Sequence, residues 1–168
     1  MSRIRSVFTF PNPVNEVAAR VVATGVVVLC VVAIASRQAW LLIPLTYGFW
    51  ARVVAGPRFS PLGQLATRIV APRIGGEPRL VPGPPKRFAQ AIGVAFSSTA
   101  LVLWYGFGLS TATWVVIGLL AAAAFLESAL GLCLGCKAFG VLMKVGAIPE
   151  DVCEACGDLS RRHPELAR

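Results

Sequence analysis

Apolar residues in this chain come in long unbroken runs, separated by short clusters rich in arginine, glycine and proline. The first run lies between Arg20 and Arg37: 16 uncharged residues, Val21 to Ser36, most of them Val, Ala, Leu or Ile. It falls slightly short of the ~20 residues that a hydrocarbon core demands, and the flanking arginines can snorkel to make up the difference. A cleaved leader is the competing reading, because Ala33-Ile34-Ala35 resembles a cleavage site. The polar stretch before the run, about twenty residues, is long for a leader, and further spans follow.

A second span runs from Gln38 to Gly56, starting near Trp40 and closing beside Trp50 and Arg52, residues of interfacial character. Pro44 is expected to kink it. The link from Arg37 to Trp40 is so short that spans one and two must form an antiparallel hairpin. From Phe88 to Leu126 there are 39 residues without a formal charge, twice one span, broken by Gly106, Gly108 and Ser110. That length predicts a second helical hairpin, its turn bracketed by Trp104, Tyr105 and Trp114, which with Trp40 form an aromatic belt. The expected fold is therefore an all-α membrane protein of four transmembrane helices in two antiparallel hairpins, with spans near 18-36, 38-56, 88-107 and 112-135. A four-helix transmembrane domain then occupies residues 1-136, with a cytoplasmic loop at 57-87, and a cytoplasmic Cys-rich tail occupies 137-168.

Within the loop, Ser60 before Pro61 has the form of an N-cap followed by proline at the first helical position. Leu62, Leu65 and Ile69 recur at helical spacing, which predicts a short amphipathic helix over 60-70 lying along the inner leaflet, its arginines meeting lipid phosphates. The Gly- and Pro-rich stretch from 75 to 85 reads as a stiff linker.

Composition agrees with lipid as the solvent: 56% of residues are hydrophobic, 14% are charged and the mean hydropathy is +0.70. The net charge of +8 has a topological explanation. Fifteen of the 16 Lys and Arg residues fall in the N-terminal arm, the middle loop and its flanks, and the tail, against Arg37 alone on the other side. The positive-inside rule places those three segments, and so both termini, in the cytoplasm. With no RNP, zinc-finger or helix-turn-helix pattern, a nucleic-acid partner is not expected.

Four of the five cysteines form two Cys-x-x-Cys pairs, Cys133/Cys136 and Cys153/Cys156, separated by 16 residues. That separation lies within the range expected of a four-cysteine zinc site, and four thiolates suit a tetrahedral structural zinc. Gly135 and Gly157 permit tight knuckle turns, and Gly146 and Pro149 let the intervening loop reverse. The competing reading is a dithiol exchanging electrons or sulfur with a cytoplasmic partner, which requires a thiol of lowered pKa. If span four runs from about Thr113 to Leu134, Cys133 sits at its C-terminus, where the helix dipole disfavours a thiolate, although Lys137 opposes this. Stable disulfides are not expected in a reducing cytosol. Cys30, inside the first span, is read as a small hydrophobe.

Glu127 is the one acidic residue within a span, and about 9 Å of helix rise separates it from Cys133. It either pairs with an arginine such as Arg52 or serves the thiols as a proton donor. His163, near the end of the chain, reads as a solvated tail residue. No P-loop, G-x-S-x-G elbow or HExxH sequence is present.

Several segments together resemble one family: Gly56-Pro57-Arg58-Phe59-Ser60-Pro61-Leu62, Pro85-Lys86-Arg87-Phe88-Ala89, and Leu126-Glu127 through Gly131-Leu132-Cys133-Leu134-Gly135-Cys136-Lys137. They are similar to bacterial membrane proteins grouped as domain of unknown function 4395. The likeness covers most of the chain. Leu132 departs from the aromatic residue more often expected before the first cysteine. The resemblance implies a bacterial cytoplasmic membrane protein and an association with thioredoxin-like or sulfurtransferase proteins, without an established activity. Three functions are thus open. The first is a zinc-knuckle docking or assembly element, within a larger membrane complex. The second is a thiol-redox or sulfur-relay protein using the two cysteine pairs and Glu127. The third is a small oligomeric transporter with Ser97, Ser98, Thr99 and Glu127 as its polar stripe.

Overall fold

The computed structural model describes residues 12–74 and 80–153. Asn15 starts the first long helix, α1 (Glu16–Ser36), by accepting hydrogen bonds on Oδ1 from the backbone N–H groups of Val17 and Ala18 at 2.9 and 3.4 Å. Such caps satisfy donors that the first turn leaves without helical partners. The cap residue also belongs to β1 (Val14–Asn15), which pairs antiparallel with β2 (Leu80–Val81). Arg37 ends α1 in the left-handed conformation, and a 3-10 turn at Ala39–Leu41 leads into α2 (Leu42–Ala55). Pro44 consequently sits in the first turn of α2. Its missing N–H costs no interior hydrogen bond there, and the expected kink is a helix start instead.

Ser60 and Pro61 behave as their order predicts. Ser60 Oγ accepts from Gly63 N–H at 3.2 Å, and Pro61 opens α3 (Pro61–Gln64). The helix continues through a π-helical segment, Leu65–Val70, into α4 (Ala71–Ile74). Its buried face is Gly63 and Ala66, with Ala66 packed on Ala18 and Val22 of α1, while Leu65 and Ile69 face outward. The predicted apolar stripe is therefore divided: Leu62 packs inward and its two partners remain on the surface.

The third span begins five residues earlier than its apolar run. Pro84 and Pro85 form the first turn of α5 (Gly83–Leu101) rather than part of a linker, which places Lys86 in that turn. Residues 75–79 of the predicted linker lie outside the described residues. A π-helical turn, Val102–Gly106, closes α5, and Gly108 at φ 66° makes the reversal into α6 (Ser110–Leu130). The last long helix is α7 (Leu134–Lys144), followed by a 3-10 turn at Glu150–Cys153.

Among the described residues, four helical stretches, Glu16–Ser36, Ala39–Ile74, Gly83–Gly106 and Ser110–Leu130, are long and apolar enough to cross a membrane. α1 packs chiefly on α6, α2 on α5, and α5 on both α6 and α7. Cys30, Ala33, Leu42, Ala100 and Ile117 form the fully buried centre. Val28, Val31, Val102, Val115, Leu119 and Phe125 stand on the outside, each more than half exposed. A belt of large apolar side chains on the outer faces of apolar helices fits lipid contact. One close approach sets the spacing of α2 and α5. A Cβ on Gly93 would lie 2.2 Å from the Phe49 ring, so only glycine lets that ring rest against α5.

Candidate dithiol site

The fourth span stops before the first cysteine instead of running through it. Gly131 adopts φ 67° and donates its N–H to Glu127 O at 3.1 Å, ending α6 with a left-handed glycine cap. Two residues later Cys133 takes an extended conformation and becomes the N-cap of α7. Its Sγ accepts the backbone N–H of Cys136 at 3.3 Å. The sequence reading that set Cys133 at a helix C-terminus is thereby corrected. The thiol lies at the positive end of a helix dipole, an environment that stabilises a thiolate.

Gly135 lets this helix start lie directly on α5: a Cβ there would meet Ala89 Cα and Cβ at 2.6 Å. Phe139 of α7 anchors the same contact edge-on against Phe88, with ring centroids 5.6 Å apart. Cys133 is 8% exposed and Cys136 is half-buried. Both carry free thiols.

Beside the pair, Lys86 Nζ donates to Glu127 Oε1 at 2.6 Å, both side chains being largely buried. Glu127 thus pairs with Lys86 and not with Arg52. Hydrogen bonding from the Cys136 side chain is the largest influence holding the Cys133 thiol below its ordinary range. The Lys86 charge and the Cys136 backbone N–H act in the same sense, against burial and the Glu127 charge. Cys136 is pushed the opposite way, first by its hydrogen bond to Cys133 and then by burial. The two sulfurs are therefore unequal: the Cys133 thiol is held below its ordinary range and its neighbour is pushed above it.

Arg52, expected at an interface, is 5% exposed. Its Nε donates to Gln90 Oε1 at 2.7 Å and its Nη1 to Ser60 Oγ at 3.1 Å, and the guanidinium lies 4.6 Å over the Phe49 ring. Arg52 Nη2 is buried and has no hydrogen-bond partner among the described residues. Arg20 donates through Nε and Nη2 to Ser128 O at 3.1 and 3.0 Å and through Nη2 to Ala129 O at 3.0 Å. These carbonyls belong to the last turn of α6, where no helical donor remains for them.

A cavity of about 270 Å³ runs between α1, α2, α5 and α6 and reaches the start of α7, where Cys133, Leu134 and Gly135 contribute to its wall. Most of its lining is aliphatic or aromatic; Gln90, Glu127 and Cys133 are the residues on its wall with polar or ionisable side chains. Nothing in the residue order points to it, because its residues come from five helices. Ser97 is fully buried and donates to Val94 O, within its own helix.

Of the remaining candidate residues, Cys30 is buried in the bundle centre. Cys153 is 4% exposed in its 3-10 turn and engaged in a disulfide, contrary to the expectation that none forms. Cys156 and His163 lie outside the described residues, so the complete four-cysteine set is not described. Among the described residues no three of His, Cys, Asp and Glu gather closely enough to hold a metal ion. What the structure brings together is Cys133, Cys136, Glu127 and Lys86, the last of which sequence reasoning had counted only as a topological charge.

No curated protein and no solved structure matches the chain. The family model that does match spans residues 14–144, from β1 to the last residue of α7, and so includes both Cys133 and Cys136. The chain belongs to the family described as Domain of unknown function (DUF4395).

Proposed function

We propose that this protein is a membrane thiol oxidoreductase, with Cys133 as the nucleophilic sulfur and Cys136 as the sulfur that resolves the mixed intermediate. The observation carrying this reading is the capping of α7 by Cys133 Sγ, which directs a helix N-terminus and the Cys136 N–H at the same sulfur. A structural sulfur needs no such environment, whereas an attacking sulfur gains from it. In the reaction, the Cys133 thiolate attacks one sulfur of a substrate disulfide, forming a mixed disulfide and expelling the other sulfur as a thiolate, which takes up a proton. Cys136 then loses its proton and attacks Cys133 Sγ. The second substrate thiolate leaves, and the two electrons lost by Cys133 and Cys136 reside on the two substrate thiols; run in reverse, the same exchange lets a partner dithiol reduce the Cys133–Cys136 disulfide and regenerate the dithiol.

The four spans are read as two antiparallel hairpins in a bacterial cytoplasmic membrane, with the dithiol on the cytoplasmic side by the distribution of Lys and Arg. A thioredoxin-like or sulfurtransferase protein is the matching soluble partner. Zinc held by Cys133, Cys136, Cys153 and Cys156 uses the same sulfurs in another way and competes directly with this reading.

The deciding experiment takes the full chain in detergent, reduces it, and measures bound zinc, thiol count and a redox titration together. A disulfide that forms reversibly between Cys133 and Cys136, located by mass spectrometry, with less than stoichiometric zinc, is the expected result. Stoichiometric zinc that protects four thiols from alkylation until chelator is added overturns it.

A further inference from the structure

We infer that the electron acceptor of this dithiol is a lipid-soluble quinone bound in the cavity between the spans, an assignment that rests on the dithiol reading of Cys133 and Cys136. The cavity joins two things that a quinone requires at once. Its wall between the four spans is apolar, with the Phe49 and Phe96 rings available to pack against a flat conjugated ring. Its far end carries the reactive sulfur, because Cys133 lines the same space as Gln90 and Glu127. Gln90 Oε1 is committed to Arg52 Nε at 2.7 Å, which leaves its amide nitrogen as the donor for a carbonyl oxygen.

Chemistry narrows the occupant further. Joining Cys133 and Cys136 releases two electrons, and an apolar cavity among membrane spans excludes charged nucleotide carriers by their desolvation cost. Quinones are the lipid-soluble compounds that accept two electrons and two protons. The balanced step takes Cys133 thiolate, Cys136 thiol, quinone and one further proton to the Cys133–Cys136 disulfide and hydroquinone. The electron pair displaced as the S–S bond forms passes to the quinone ring. One proton comes from Cys136. The second comes from the Lys86–Glu127 pair, which regains it from water. At about 270 Å³ the cavity is some twenty times the space one water needs, room for a ring and the start of its tail.

The test uses the full chain in detergent, reduced and freed of reductant, then mixed with decylubiquinone, whose fully substituted ring cannot retain a thiol as a stable aryl thioether. The expected result is one quinone reduced for every two thiols lost, followed by the change in quinone absorbance, with no reduction by C133S. Filling the cavity with L120W is expected to slow quinone reduction at least tenfold, while a thiol count with a water-soluble aromatic disulfide reports that the dithiol still forms. A123F, on the same wall, makes the test where L120W fails to fold. Wild-type protein that reacts with the soluble disulfide but leaves decylubiquinone oxidised overturns the quinone assignment and leaves the dithiol reading standing; in that case the cavity holds only a lipid or detergent tail. Protein whose thiols join with neither oxidant overturns both. Quinone reduction at the wild-type rate in both filled variants places the reaction outside the cavity and overturns the assignment as well.

Discussion

The two ends of this helical bundle are built from different materials. At one end, the reversals at Arg37 and Gly108 are closed by aromatic contact: Trp104 meets Trp114 edge-on at 5.3 Å, and the exposed Arg37 lies 5.8 Å over the Trp114 ring. At the other end, Arg52, Lys86 and Glu127 are drawn inside the protein and held by side-chain hydrogen bonds. Lys86 stands in the first turn of α5 and Glu127 near the last turn of α6. Each charge opposes the dipole of its own helix, so neither position is favoured locally. Their mutual contact offsets both penalties, and the thiols lie beside it. A closed turn needs no such arrangement. Local preference is overridden there by the tertiary contact of the two side chains.

The comparison can be broken most decisively at the sulfurs. C133S is expected to abolish thiol exchange while leaving the helical content measured by circular dichroism unchanged; retained exchange would move the nucleophile elsewhere. The charged pair comes next. K86M leaves a buried carboxylate without its partner, a change that costs about 3–5 kcal/mol where such pairs are broken, read as a lower thermal midpoint in detergent. The same variant removes a cation that favours the Cys133 thiolate, so its alkylation rate should rise at higher pH than in the wild type. E127Q removes the opposing charge, and its alkylation profile should move to lower pH; shifts of the same sign in both variants would refute the electrostatic account. G135A is smaller in effect. Its methyl would press on Ala89, and overpacking of this kind costs about 1–3 kcal/mol, with slower alkylation of Cys133 as α7 is displaced. Least of all, R37A at the aromatic end should cost no more than about 1 kcal/mol, the usual range of an exposed cation–π contact, and should leave thiol reactivity unaltered.

How much of this was legible in the sequence differs between the same two ends. The uncharged runs located four spans, and the Ser60-Pro61 order located a helix start, because hydrophobic length and capping chemistry are local signals. The end of the fourth span was not legible. Leu130-Gly131-Leu132-Cys133-Leu134 continues the apolar pattern without a break, and cysteine is not among the usual N-cap residues, Ser, Thr, Asp and Asn. Gly131 was the available signal, since a glycine after a long apolar helix favours the left-handed cap that the structure shows. Lys86 was missed for a related reason. Pro84 and Pro85 were read as a linker, although proline is also suited to a first helical turn, and that alternative turns a loop charge into a buried one. The partner of Glu127 could not be read at all, because 41 residues separate it from Lys86 and only tertiary packing joins them.

Arg20 carries a consequence for how the protein comes together during synthesis. Its guanidinium grips the carbonyls of Ser128 and Ala129, 108 and 109 residues downstream and only a few residues ahead of Cys133. The first long helix to leave the ribosome therefore meets this partner only when the fourth has been made, and the corner around Cys133 is complete only when beginning and end have met. A chain halted after its third span would hold neither the sulfurs nor the carbonyls that Arg20 clasps.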